Sequence, residues 1–75
     1  MQKVKIRSGL KEFAQNRGLT IRQVAKDIGM ESSWESVRRF ANNESTKYSR
    51  DILERLMNRY DCRLDELLIV EKETD

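Results

Sequence analysis

Few side chains in this sequence could make or break bonds, and none is set up to do so. The chain contains no His, which removes the usual general base near neutral pH and the commonest zinc ligand. Cys62 is the single cysteine, so it can form no internal disulfide and reads as a small packed hydrophobe. Asp65 and Glu66 make a carboxylate pair, but neighbours on a helix point apart and no base or metal partner stands near them. The reading is therefore no enzyme, no metal and no cofactor. What remains is recognition of charge, and the charges are divided along the chain. Residues 1–50 hold 11 Lys/Arg and 5 Asp/Glu, net +6, whereas residues 51–75 hold 4 and 8, net −4. The first part suits a polyanion and the second does not.

The elements that carry these charges must come from a short chain. Seventy-five residues leave no room for two hydrophobic cores, so residues 1–75 are expected to form one domain. Hydrophobic and charged residues each contribute 37%, too apolar and too patterned for disorder. The longest apolar run is Leu67 to Val70, far short of the ~20 residues that span a bilayer, and the basic N-terminus lacks the apolar stretch of a signal peptide. No membrane partner and a cytoplasmic location are expected.

Apolar residues at Ile6, Leu10, Phe13 and Ala14 follow a helical stripe, with Ser8 as its N-cap and Gly18 after its end. Thr20 caps a second helix, about Ile21 to Ile28. Gln23 completes a capping box and Leu19 can staple against Val24. Gly29 stops this helix. A third helix, about Ser33 to Ala41, places Trp34, Val37, Phe40 and Ala41 on one side. Asn42, Asn43, Glu44, Ser45 and Thr46 form a polar loop in which either Asn tolerates left-handed backbone. Ser49 caps a fourth helix with the stripe Ile52, Leu53, Leu56, Met57 and Tyr60. A last short helix around Leu64 to Leu68 runs into the strand-prone Leu68, Ile69 and Val70. Lys3 to Ile6 alternate charged and β-branched residues, so a short N-terminal strand could pair with that run.

The second and third helices meet through Gly29, with the small Ala25 one turn earlier. Ala25 lets two helices cross closely, and Gly29 lets the chain turn without a Cβ clash. Here the sequence resembles the Cro and phage-repressor type, or XRE, helix-turn-helix family. The matching residues are Gly18-Leu19-Thr20, Val24-Ala25, Gly29-Met30, Val37, Phe40, Asn42, Asn43, and then Lys47, Tyr48, Ser49, Asp51, Leu53, Glu54 and Leu56. The resemblance implies an all-α, compact five-helix lambda-repressor-like domain, with room for short terminal β-strands, and a function in reading double-stranded DNA. The chain departs from the family twice. Val37 lies eight residues after Gly29 where relatives usually have six, so the turn is two residues longer. Asn43 stands where relatives commonly have glycine.

With Trp34, Val37, Phe40 and Ala41 buried, helical steps of about 100° put Ser32, Glu35, Arg39 and Asn42 on the opposite face, with Ser36 and Arg38 on its flanks. These six are the base-reading candidates. Arg39 leads, because a guanidinium can donate two hydrogen bonds to guanine O6 and N7. Glu35 either accepts from cytosine N4 or serves as a deterrent charge against wrong registers. Trp34 could stack on a base, but its neighbours favour the core. Phosphate contacts are expected at helix starts and nearby cations: Thr20 and Arg22 at the second helix, and Asn43, Lys47, Tyr48, Ser49 and Arg50 around the fourth. Thr20 and Ser49 cap their helices on either reading.

The leading function is a sequence-specific transcriptional regulator that binds DNA as a homodimer, its interface in the acidic C-terminal part with apolar Leu67 to Val70. The alternative partner is a protein, the chain then being an antitoxin or a phage-encoded inhibitor on the same scaffold. Glu31 and Glu35 near the reading helix favour that alternative, and the basic half favours DNA.

Overall fold

A computed structural model describes residues 3–44 and 47–73; Ser45 and Thr46 of the expected polar loop lie outside them. Among the described residues five α-helices and one two-stranded sheet follow in the order β1 (Lys3–Ser8), α1 (Leu10–Asn16), α2 (Ile21–Asp27), α3 (Trp34–Ala41), α4 (Arg50–Tyr60), α5 (Leu64–Leu67) and β2 (Leu68–Glu73), with a 3-10 turn at Glu31–Ser33 before α3. The chain is thus mostly helical, with five helices and the short terminal strands for which the expectation left room. The helices close over one core made of Leu10, Phe13, Ala14, Val24, Ala25, Ile28, Val37, Phe40, Ala41, Ile52, Leu56, Cys62 and Leu67. Cys62 is buried in it, and burial pushes its thiol pKa up, as expected of a packing residue.

The helix ends show why these residues form these elements. Thr20 Oγ1 accepts from Gln23 N at 3.1 Å, and Gln23 Oε1 accepts from Thr20 N at 2.8 Å, closing the capping box. Ser49 Oγ accepts from Ile52 N at 3.3 Å. Each cap of this kind is worth about 1 kcal/mol. At the C-termini one motif recurs. After α2, Gly29 N donates to Lys26 O and Met30 N to Ala25 O. After α3, Asn43 N donates to Phe40 O and Glu44 N to Arg39 O. Both reversals need left-handed backbone, which Gly29 adopts at φ 77° and Asn43 at φ 59°; the pattern satisfies carbonyls that a helix end otherwise orphans.

The start of the chain differs from the helical expectation. Ile6 lies in β1 and is 55% exposed, not on the buried stripe of α1. Ser8 does not cap α1 across a turn; its Oγ accepts from Leu10 N at 3.1 Å while Gly9 takes the N-cap position without a side-chain bond. The alternation from Lys3 to Ser8 wins because it has a partner: β1 pairs antiparallel with β2, from Lys3 opposite Glu73 to Ser8 opposite Leu68. Gly9 sits where the ribbon enters the helices. Its N donates to Leu67 O at 2.8 Å, and a Cβ there would stand 2.7 Å from Glu66 O and 2.9 Å from Ile69 Cδ1.

Elsewhere polar groups stitch helix to helix. Tyr60 packs edge-on to Phe13 with ring centroids 5.5 Å apart, and the Arg17 guanidinium lies 4.4 Å from the Phe13 ring centre. Tyr60 Oη donates to Asp27 Oδ2 at 2.8 Å, so burial, then this bond, raises its pKa to about 12. Asp65 and Glu66 have structural work as well: Glu66 accepts from Arg63 N at 2.7 Å at the start of α5, and Asp65 pairs with Arg63 at 3.0 Å.

Asn43 does more than tolerate its conformation. Its Oδ1 accepts from Ser8 N at 2.6 Å, with Tyr48 Oη 3.4 Å away, tying the loop after α3 to β1. Replacing Asn43 with Gly keeps the backbone but strips the buried Ser8 of this acceptor, and should cost about 1–3 kcal/mol. Asn43→Ala should cost about 1–2 kcal/mol more, through left-handed strain. Urea unfolding will rank the three proteins; equal midpoints would refute the link. Gly9→Ala, whose methyl group meets backbone, should cost about 1–3 kcal/mol by overpacking in the same measurement, and an unchanged midpoint would show that α5 shifts freely.

Candidate nucleic-acid interface

The turn between α2 and α3 governs what α3 can present. A 3-10 turn, Glu31–Ser33, fills the connection, so Ser33, expected as the first residue of the helix, lies with Ser32 ahead of α3. Trp34 then starts the helix, half-buried against the core. Its ring lies 5.3 Å from the Arg22 guanidinium, a cation–π contact that couples the start of α2 to the start of α3. A second clamp comes from α4. Arg55 Nη1 donates to Ile28 O at 2.9 Å, while its Nε is held by both oxygens of Asp51 at 3.2 and 3.1 Å. Arg55 thus ties off the end of α2 beside Gly29. The i, i+4 spacing of Asp51 and Arg55 was visible as a helix-surface pair; its grip on a distant carbonyl was not.

The predicted base-reading residues divide into two groups. Ser32, Glu35, Ser36 and Arg39 are exposed. Ser36 and Arg39 line a cleft of about 250 Å³ together with Lys47 and Ser49, over Phe40 and Ile52. The cleft joins the face of α3 to the start of α4. Arg39 has no ion pair among the described residues, and two hydroxyls and two cations converge there, a lining suited to hydrogen-bond and neutralise an anionic, oxygen-rich ligand. Arg38 and Asn42 form the other group. Arg38 Nη1 donates to Glu44 Oε2 at 3.2 Å, Asn42 Nδ2 approaches the same oxygen at 3.5 Å, and Arg38 Nη2 lies 3.9 Å from Glu35 Oε1. Glu35 therefore faces Arg38 at one helical turn, and Glu44 is a polar residue of this face that helical geometry could not find, because it lies past the end of α3.

The phosphate candidates are similarly divided. Thr20 spends its hydroxyl and its own N–H on the capping box. Arg22 is exposed at the start of α2 beside Trp34. Lys47 and Ser49 are exposed in the cleft, Ser49 also capping α4. Arg50 is 90% exposed and pairs with Glu54 at 3.0 Å. Tyr48 packs edge-on to Phe40, ring centroids 5.4 Å apart, and its Oη donates to Ile6 O at 3.2 Å. Asn43 is turned toward Ser8. Lys47, Ser49, Arg50 and Arg22 are thus presented outward, while Asn43 and Tyr48 are engaged in fastening the ribbon.

No helix among the described residues is long and apolar enough to cross a membrane. No curated protein and no solved structure matches the chain. The family model for the Cro/C1-type helix-turn-helix DNA-binding domain matches residues 9–73, from the glycine that enters α1 to the end of β2, and the chain therefore belongs to the Cro/C1-type helix-turn-helix DNA-binding family.

Proposed function

We propose that the chain is a sequence-specific transcriptional regulator that lays α3 in the major groove of double-stranded DNA. The cleft shared by Ser36, Arg39, Lys47 and Ser49 carries this reading. It sets a guanidinium on the face of α3 beside a cation and a helix start from α4, which is how a reader of base edges is anchored to the adjoining phosphates. Arg39 reads a base, and Lys47, Ser49, Arg50 and Arg22 meet phosphates.

A single copy contacts too few base pairs for useful specificity, and a homodimer on half-sites ~34 Å apart doubles them. Leu67 is fully buried and belongs to the core, so the interface we propose moves to the ribbon. The exposed large hydrophobics, Val4, Ile6, Leu64 and Val70, fall on the ribbon and on α5 beside it. Ile6 stands opposite Val70 in the register, and together with Leu64 and Leu68 they line an apolar hollow edged by Arg63 and Asp65. Two-fold pairing would set each apolar patch on its copy and bring a cation and a carboxylate from each side to the rim.

Two cations test the DNA contacts. Arg39→Ala should cost ~1–3 kcal/mol on the preferred site and relax the choice at one base position. Lys47→Ala should weaken preferred and random DNA alike and flatten the salt dependence by about one unit. Affinity on matched and single-base-substituted duplexes over a salt series reads both. A uniform loss for Arg39→Ala on every sequence would overturn the orientation of α3; no effect of either change on any DNA would hand the chain to the protein-interaction reading. For the dimer, the double variant Ile6→Lys, Val70→Glu alters exposed residues only and sets opposite charges across the strand pair, and should lower the stoichiometry on a two-half-site duplex at limiting protein without lowering the melting temperature. Unchanged stoichiometry and affinity would rule this interface out.

A further inference from the structure

Within the face of α3, two neighbouring cations are treated in opposite ways. Arg39 has no acidic partner among the described residues, whereas Arg38, one position earlier, is held by Glu44 at 3.2 Å and approached by Glu35 at 3.9 Å. Asn42, one turn beyond Arg38, converges on the same Glu44 oxygen at 3.5 Å. A guanidinium and an amide that meet on one anionic oxygen present the donor arrangement that a phosphate oxygen takes.

The carboxylate reaches that position because of the backbone. Left-handed Asn43 reverses the chain, and Glu44 N donates to Arg39 O at 3.0 Å, which returns Glu44 across the end of α3. Arg38 and Glu44 side chains are 35% and 50% exposed. A pair this open shifts an equilibrium by at most about five-fold, so a polyanion with many other contacts can displace it.

We propose that Glu44 is an internal competitor for phosphate: it occupies Arg38 and Asn42 in the free protein and yields them when α3 seats on DNA. The proposal rests on the DNA-binding reading above. It makes Glu44 a determinant of DNA affinity, because any duplex that seats α3 must first displace the carboxylate from Arg38. It also predicts a particular salt response. When Glu44 lets go it recruits a cation from solution, and this uptake cancels the counterion that Arg38 releases from the phosphate. Removing the carboxylate removes the cancellation.

The test is a double-mutant cycle on the full chain with Glu44→Gln, Arg38→Ala and their combination, binding random-sequence duplex DNA over a salt series, with thermal unfolding to establish that each variant is folded. Glu44→Gln alone should tighten binding at low salt about three- to five-fold and steepen the salt dependence by about one unit. In the Arg38→Ala background both effects should largely vanish. Equal tightening in the two backgrounds would mean that Glu44 merely repels DNA, and would overturn the competitor; so would an affinity left unchanged or weakened by Glu44→Gln alone. Failure of the unsubstituted chain to bind any duplex at low salt would overturn the DNA-binding reading itself, a result distinct from either.

Discussion

The placement of α3 depends on the reversal at Gly29. The left-handed residue lets Met30 N–H return to the Ala25 carbonyl, and Ala25 is fully buried, so the end of α2 and the approach to α3 are fastened to one small core residue. A Cβ at Gly29 would meet Arg55 Nη1 at 3.4 Å, the group that holds the Ile28 carbonyl. Turn and clamp therefore meet at Gly29. The connection to α3 runs through a 3-10 turn, Glu31–Ser33, beyond that reversal, and Val37, Phe40 and Ala41 stay in the core.

Much of this was legible in the sequence. Caps are local events: the Thr20–Gln23 box and the Ser49 cap follow from residue types three apart, and the buried stripes of α2, α3 and α4 follow from helical period. The boundaries of α2 and α4 fall within about a residue of the expected ones for the same reason. The first stripe was misread at Ile6 because a β-branched residue one helical turn before Leu10 fits a helix as well as a strand, and only its partner Val70, 64 positions away, decides between them. Gly9 had no sequence signal, its requirement arising from the backbone of Glu66.

At the candidate site, period alone could say which side chains of α3 face outward, and Ser36 and Arg39 do. It could not say which of them would be intercepted. Arg38 and Asn42 point into a carboxylate that arrives from beyond the helix, and Asn43, read as a tolerant stand-in for glycine, turns out to brace β1 with its side chain. Both effects come from the same chain reversal. A glycine at this position could give the left-handed turn but not the brace, so reversal and fastening of the ribbon are combined in one residue.

The ribbon itself has a kinetic consequence. Its innermost pair, Ser8 with Leu68, joins positions 60 residues apart, and the outermost, Lys3 with Glu73, positions 70 apart. Closing so long a loop carries an entropy cost that a two-stranded ribbon cannot offset unaided. The helices must first condense and bring Gly9 beside Leu67, after which the strands zip outward from Ser8. Folding then ends on the ribbon, and its apolar face forms only after the helices have packed.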